Sequence, residues 1–396
     1  MSQSASIIVE TSQASVDRAP LPDGWRWVRL DEVCSFGSGR FLSRSGIKEK
    51  GSVPVYGANG VIGYTDVACF SKPQIVIGRV GSCGAINVTT GEAWITDNTI
   101  TCAAKDAVNF DYLASFLQSV NFDSLRTAAI QPLITQSTLK KIWLPLPPIS
   151  IQQRIAFVLN KQMSAVERAR AAAEVQLKAA KDLPIAYLRA VFENEEAQGW
   201  SRKQLNELGE LLPAKSIATK GDTQVTAITT ACLTESGFQP LGVKTARMSG
   251  NDAELCKVSY GEILLARSNT SELVGRAAMF SGEPENAIAS DLTIRFLPYS
   301  LDFSPFLAAY LSFLYTTGYW KERAGGASDS MKKITRPQVL QLSVPVPSAM
   351  IQSKVVGELS EQMQSSKRLV SALSKQLNDI KQLPAALLRQ AFTGKL

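Results

Sequence analysis

The sequence predicts an α+β chain in which two tandem β-rich domains alternate with two long helices that pair as an antiparallel coiled coil. Three observations point there. The phrase KDLPIAYLRAVF at 181–192 returns as KQLPAALLRQAF at 381–392, with seven of twelve positions identical and an offset of 200. Each phrase closes a stretch whose apolar residues fall at 3–4 spacing, the seam of a coiled coil. The segments ahead of those stretches mix short β-rich runs with many glycine turns. A chain of 396 residues also exceeds one ordinary core, so two or more domains is the default.

The elements follow in order. Residues 1–19 are polar, with neither a basic start nor a long apolar core, and are expected to form a flexible leader, not a signal peptide. Residues 20–148 make the first β-rich domain, with GWRWVRLDEV at 24, VPVYGANGVIGYTD at 53 and QIVIGRVGSCG at 74. Residues 149–198 make the central helix, entered through Pro147 and Pro148, which hold the chain extended and prevent an earlier start. Its seam is Leu159, Met163, Val166, Ala173, Leu177 and Ala180. Residues 199–346 make the second β-rich domain. Here GWSRKQLNEL at 199 echoes the first opening, EILLARSNTSELVG at 262 matches Arg267 to Arg79, and SDLTI at 290 resembles TDNTI at 96. Residues 347–396 make the C-terminal helix behind Pro345 and Pro347, with the seam Leu359, Met363, Val370, Leu373, Leu377 and Ile380. The helical parts agree best and the middles least, the pattern of a fixed scaffold carrying two different readers.

About 40 residues at 1.5 Å each give a rod roughly 60 Å long. Two like stripes within one chain are expected to pack on each other, antiparallel if the halves are related by a pseudo-twofold; a dimerisation coil is the alternative. Pro184 and Pro384 lie inside the two phrases. A mid-helix proline removes one backbone hydrogen bond and bends the helix, unless two helices meet there at a turn.

Composition narrows the function. The net charge of +7 and pI near 9.0 favour a polyanion partner, most often nucleic acid. The chain contains no histidine, which removes Ser-His-Asp and Cys-His triads, histidine base catalysis and His-ligated zinc. The cysteines Cys34, Cys69, Cys83, Cys102, Cys232 and Cys256 form no C-x-x-C pair and read as reduced and mostly buried, with no metal site. No apolar run of membrane-spanning length, about 18 residues, is present, so no membrane partner is expected and the location read is cytoplasmic. No phosphate-binding loop, amino-methylation motif or nuclease-type carboxylate cluster stands out.

Groups able to reach phosphates and base edges gather in the middles. In the first they are Arg40, Arg44, Lys48, Tyr56, Asn59, Arg79 and Ser82. In the second they are Lys215, Lys220, Lys244, Arg247, Arg267 and Asn269, with Ser328, Lys332 and Lys333 in the segment GGASDSMKKIT at 325. The repeated phrases carry Leu183, Pro184, Leu188 and Phe192, and Leu383, Pro384, Leu388 and Phe392, read as scaffold or partner-docking residues.

At this point the chain resembles the specificity subunits of type I restriction–modification systems. The likeness rests on LPDGWRWVRLDEV, PVYGANGVIGYTD, IVIGRVGSCG, LPLPPISIQQRIA and LPAALLRQAFTGKL, on their order and on their duplication. It implies two target-recognition domains, each reading one half of a split site in double-stranded DNA, and two spacer helices that dock two methyltransferase subunits. It implies a non-catalytic chain without its own cofactor, since S-adenosylmethionine, ATP and magnesium serve the methyltransferase subunits and an ATP-dependent restriction–translocase partner. The altered glycine pattern of EILLARSNTSELVG keeps base contacts from being carried over to the second domain. The alternatives are an orphan recognition protein acting outside restriction, a free-standing DNA methyltransferase or nuclease, and a coiled-coil scaffold that binds no nucleic acid.

Overall fold

The computed structural model describes residues 20–125, 133–217, 221–328 and 331–396. The leader 1–19, Lys220 and the side chain of Ser328 lie outside the described residues. Among the described residues two compact units emerge, one within 20–174 and 375–396 and the other within 175–374.

The first unit begins with β1 (Arg26–Arg29), the one-turn helix α1 (Leu30–Val33) and β2 (Cys34–Ser38). It continues through β3 (Val53–Gly57), β4 (Gly60–Thr65), β5 (Ile75–Gly78), β6 (Ile86–Val88), β7 (Trp94–Ile95) and β8 (Thr99–Ala104). Then come α2 (Phe110–Ser119), α3 (Gln136–Lys140), β9 (Trp143–Leu146) and the start of the 44-residue helix α4 (Ile149–Phe192). The second unit holds the end of α4, α5 (Glu195–Gln198), β10 (Arg202–Gln204), β11 (Gly209–Leu212), β12 (Thr223–Ile228), β13 (Leu233–Thr234), β14 (Gly237–Phe238), β15 (Lys244–Met248) and α6 (Gly250–Cys256). It goes on with β16 (Ile263–Ala266), β17 (Ser268–Asn269), β18 (Ala277–Met279), β19 (Ala287–Ala289) and β20 (Thr293–Pro298). Last are α7 (Ser304–Thr316), α8 (Tyr319–Arg323), β21 (Gly325–Ser328), β22 (Met331–Lys333), α9 (Arg336–Leu340), β23 (Ser343–Pro345) and the 44-residue helix α10 (Ala349–Phe392).

The middles, which agree least in sequence, match strand for strand. The sheet β2-β8-β5-β6 answers β11-β20-β16-β18, β4-β3-β7 answers β15-β12-β19, and the pair β1-β9 answers β10-β23. Even the unusual parallel pairs recur, β3 with β7 and β12 with β19. Ladder register agrees as well: Ile75↔Cys102 to Gly78↔Thr99 in the first unit corresponds to Ile263↔Phe296 to Ala266↔Thr293 in the second. Backbone ladders need only the right alternation of buried positions, so side-chain identity drifts while pairing stays. The second unit adds the sheet β17-β22-β21 and the two-stranded pair β13-β14.

Pro184 and Pro384 lie inside unbroken helices. Pro147 and Pro347 do more than stop the helix from starting early. Their carbonyls accept Gln152 Nε2 at 2.8 Å and Gln352 Nε2 at 2.7 Å, two residues at the same place in each helix. In the first unit, Ile155, Ala156 and Leu159 near the start of α4 share a core with Leu388, Ala391 and Phe392 at the end of α10. In the second unit, Leu188 shares a core with Val355 and Leu359, while Ser366 Oγ donates to the Ala180 carbonyl at 3.2 Å. Moving back along α4 from 188 to 180 thus means moving forward along α10, so the pairing is antiparallel. The seam positions on both helices are buried or half-buried. All six cysteines are free, five of them buried and Cys69 half-buried. No helix among the described residues is long and apolar enough to cross a membrane.

Candidate nucleic-acid interface

Each unit turns the end of one core strand into an exposed loop and fastens it in the same way. Strand β5 is fully buried and ends at Gly78. There the chain leaves through residues 79–83 and returns at Gly84, whose N–H donates to the Gly78 carbonyl at 2.9 Å. An added Cβ at Gly78 would meet the carbonyl oxygens of Ser82 and Ala58, so only glycine fits. Gly84 has φ +83° and the Phe122 side chain packs where a Cβ would stand. In the second unit the loop is residues 267–274. Gly275 N–H donates to the Ala266 carbonyl at 2.9 Å, again at φ +83°, with the Trp320 ring in the Cβ position.

The arginine that opens each loop is held on both sides of its backbone. Arg79 N–H donates to the Asn98 carbonyl at 3.0 Å and its own carbonyl accepts from Ile134 N–H at 3.2 Å. Arg267 N–H donates to the Leu292 carbonyl at 2.8 Å and its carbonyl accepts from Ile334 N–H at 2.9 Å. Ile134 and Ile334 are 200 residues apart, the same offset as the helical phrases. The Arg79 side chain is exposed, whereas Arg267 is half-buried and its Nη1 reaches the Asp291 carbonyl at 3.4 Å.

In the first unit the loop borders an open cleft of about 600 Å³, lined among others by Phe41, Arg44, Ile62, Val80 and Asn98. Apolar walls with convergent polar groups are the usual character of a binding cleft. Asn59 is exposed on the β3–β4 turn, and Ser82 on the arginine loop. Arg40 is exposed, its N–H bound to the Ile95 carbonyl at 2.7 Å and its carbonyl to Trp94 Nε1 at 3.1 Å. Burial raises the pKa of the nearby Cys69 thiol, opposed by the Ile95 N–H and the Arg40 charge.

Two first-unit candidates do not stand free at this surface. Tyr56 is 9% exposed and packs with Val76, Ala93 and Ile95, because consecutive residues at the end of β3 are all buried. Its ring belongs to the core. Lys48 is exposed but its ammonium pairs with Asp66.

In the second unit, Lys215 pairs with Asp252 at 2.5 Å. The Asp252 carboxylate raises the Lys215 pKa, while Lys215 and then the Ser249 hydroxyl lower that of Asp252. Lys244 and Arg247 are exposed on strand β15, and Arg247 donates to the carbonyls of Gly221 at 2.8 Å and Asp222 at 3.1 Å. The small sheet β17-β22-β21 joins the rest: Asn269 lies across from Lys332 and Ser268 from Lys333. Asn269 Nδ2 donates to Thr230 Oγ1 at 3.1 Å and Lys332 Nζ to the Gly326 carbonyl at 3.2 Å, while Lys333 is exposed. The structure therefore brings Arg267, Asn269, Lys332 and Lys333 together across more than sixty residues of sequence. Lys215, Lys244 and Arg247 belong to other strands and loops.

The repeated phrases sit elsewhere. Leu188 lies in the second unit's core, and the Phe192 ring meets Phe306, Tyr310 and Phe313 at 5.6, 5.2 and 5.3 Å. Leu388 lies in the first unit's core, and Phe392 meets Tyr112 and Phe116 edge-on, each at 5.3 Å. Pro184, Pro384 and Leu183 are half-buried, and Leu383 is exposed. Residues the sequence reading passed over are Phe41, Asn98 and Leu292. The TDNTI and SDLTI match was their signal, noticed as a repeat but not as a site.

Residues 22–175 match the family model for the type I restriction modification DNA specificity domain. A Haemophilus influenzae protein assigned as a type I restriction enzyme specificity subunit is 22% identical over 361 residues, 85% of this chain and 86% of that one. The specificity subunit of the Escherichia coli type I restriction enzyme EcoprrI is 26% identical over 137 residues, 33% of this chain and 34% of that one. Among solved structures, the HsdS subunit of Thermoanaerobacter tengcongensis superposes with TM-score 0.61 at 18% identity, covering 96% of this chain and 99% of that one. A chain from a study of complex assembly and conformational transition of the type I restriction–modification system superposes with TM-score 0.69 at 18% identity, covering 96% and 100%. These two likenesses show the fold. Duplicated strand ladders, paired 44-residue helices and the matched segment agree: residues 22–175 carry the likeness to the type I restriction modification DNA specificity domain, and the chain has the fold of the solved type I restriction–modification specificity subunit HsdS.

Proposed function

We propose that this chain is the non-catalytic subunit that reads DNA sequence for a type I restriction–modification complex. The observation that carries the reading is the duplicated reader frame: two differently decorated loops, each held by an arginine backbone pinned at both faces. Residues 20–148 and 199–346 act as target-recognition domains, each accepting one half of a split site. Exposed cations such as Arg44, Arg79 and Lys333 supply phosphate affinity that falls with salt, and base-edge contacts supply sequence choice. The helices of residues 149–198 and 347–396 act as the spacer. At 1.5 Å per residue a 44-residue helix measures about 66 Å, and that length sets the unread gap.

The chemistry belongs to partners: two methyltransferase subunits using S-adenosylmethionine on adenine, joined by an ATP- and magnesium-dependent translocating nuclease, in the prokaryotic cytoplasm. Base flipping is their task. Leu383, exposed at the end of α10, is a candidate docking contact for one of them. The test is co-expression with a methyltransferase subunit, followed by mapping of methylated adenines. A bipartite motif is expected, and none from the methyltransferase alone. Methyl transfer by this chain in isolation defeats the proposal.

A further inference from the structure

We infer that the exposed residue at the tip of the turn before β8 and before β20, Asn98 in one unit and Leu292 in the other, determines which base pair each unit accepts at one position of its half-site. The inference rests on the DNA-reading role proposed above and goes on to name a reading residue.

The two turns are built alike. Thr99 N–H and Oγ1 both donate to the Thr96 carbonyl, at 3.2 and 2.6 Å. Thr293 N–H and Oγ1 both donate to the Ser290 carbonyl, at 2.9 and 2.6 Å. The carbonyl of the tip residue is taken in each unit by the N–H of the loop arginine, Arg79 or Arg267. A backbone fixed at three points presents its side chain with little freedom, which is what base readout needs.

Around the tip, the framing residues correspond in type and burial. Thr96, Thr99 and Ile100 are buried, as are Ser290, Thr293 and Ile294. The aspartate before the tip is also shared, as Asp97 and Asp291. Only the tip changes chemical class, from an amide to an aliphatic group. Leu292 is 48% exposed, so about half its surface faces solvent, and the Asn98 amide has no hydrogen-bond partner among the described residues. Asn98 opens onto the cleft that also holds Arg44. Leu292 lies beside the start of the basic sheet, its carbonyl also approached by Ser268 N–H at 3.4 Å.

The two side chains fit different base edges. A carboxamide carries a donor and an acceptor side by side, matching N6 and N7 of adenine in the major groove. An aliphatic side chain offers only apolar contact, which suits the methyl group of thymine. The expected loss on removing a good bidentate contact is about tenfold or more in discrimination at one base pair.

The test compares wild type, Asn98→Leu and Leu292→Asn as full chains with the co-expressed methyltransferase subunit, selecting bound duplexes from a random-sequence DNA library. Each variant is expected to relax or exchange the preference at one position of one half-site, by about tenfold, with the other half-site intact. Melting temperature and salt-dependent binding to a non-target duplex should stay at wild-type values. Two variants that select the wild-type motif with wild-type stringency overturn the inference. So does a uniform loss at every position, the mark of a folding or phosphate role. A wild-type complex that selects no motif defeats the DNA-reading proposal itself, and this inference with it.

Discussion

Glu262 and Arg295 are 1% and 2% exposed and joined by two hydrogen bonds of 2.9 Å, Nε to Oε2 and Nη2 to Oε1. Arg295 also donates to the carbonyls of Pro213 at 2.8 Å, Leu255 at 3.0 Å and Lys257, and Glu262 accepts from Ser259 N–H at 2.7 Å. The first unit holds Gln74 and Thr101 at the corresponding places of the ladder, so the pair belongs to one reader only. Replacing Arg295 by Met leaves a buried carboxylate without its partner and should cost the second unit about 3–5 kcal/mol in urea unfolding. Adding Glu262→Leu should recover most of that loss. Glycine positions give a graded comparison. Gly81→Ala, at φ +73° with open space, should cost only the left-handed backbone penalty, about 1–2 kcal/mol. Gly84→Ala adds a collision with Phe122 and should cost clearly more in the same assay. At the surface, Lys215→Met should raise the Asp252 pKa back toward the ordinary carboxylate range in a carboxylate NMR titration. Since the folded Asp252 pKa is lowered by its partner, any stability it lends is present at neutral pH and lost as pH falls through that lowered value.

Among the elements, the long helices were the most legible. Their period, entry prolines and seam are local properties, and local spacing is what a helix reads. The two prolines inside the phrases left kink and turn both open, and the tertiary contacts decided for continuous helices. Leu188 and Phe192, or Leu388 and Phe392, anchor the rod end beyond each proline in a globular core. Burying a Phe392-sized side chain contributes about 2–3 kcal/mol, with up to about 1 kcal/mol more from each edge-on ring pair. Leu188→Asp should therefore unfold or loosen the second unit and Leu388→Asp the first, each by at least about 3 kcal/mol, seen as separate transitions in denaturant. A changed DNA preference with full stability would instead place these leucines at the DNA. The β-rich middles were less legible. Strands β5 and β8, or β16 and β20, are more than twenty residues apart, and no local pattern names a partner at that distance. For the same reason the sequence places Tyr56 among the surface groups, whereas the fold buries it. Its sequence neighbours are Val55 and Gly57, and it packs with Val76, Ala93 and Ile95, which lie twenty and more residues away in the chain.

On the scale of the whole molecule, net charge favours a polyanion partner but does not name the cations that would meet it. Lys48, Lys215 and Arg247 are held by Asp66, Asp252 and backbone carbonyls, while Arg44 and Arg79 are exposed. In salt titrations of DNA binding, Arg79→Met should lower the slope by about one and Lys48→Met by less. Inserting one helical turn into both α4 and α10 should widen the gap of the methylated motif; an unchanged gap would count against the spacer role. From the sequence by itself came the duplication, the two rods and their seams, and the family likeness, because repeats and helical periods are written in neighbouring residues. Only the tertiary structure decided that the dissimilar middles share one ladder, that Arg79 and Arg267 are pinned by the same pair of backbone bonds, and that Asn98 and Leu292 stand at equivalent tips. Those facts arise from hydrogen bonds between segments far apart in the chain, made by backbone groups that every residue carries and that no side-chain pattern records.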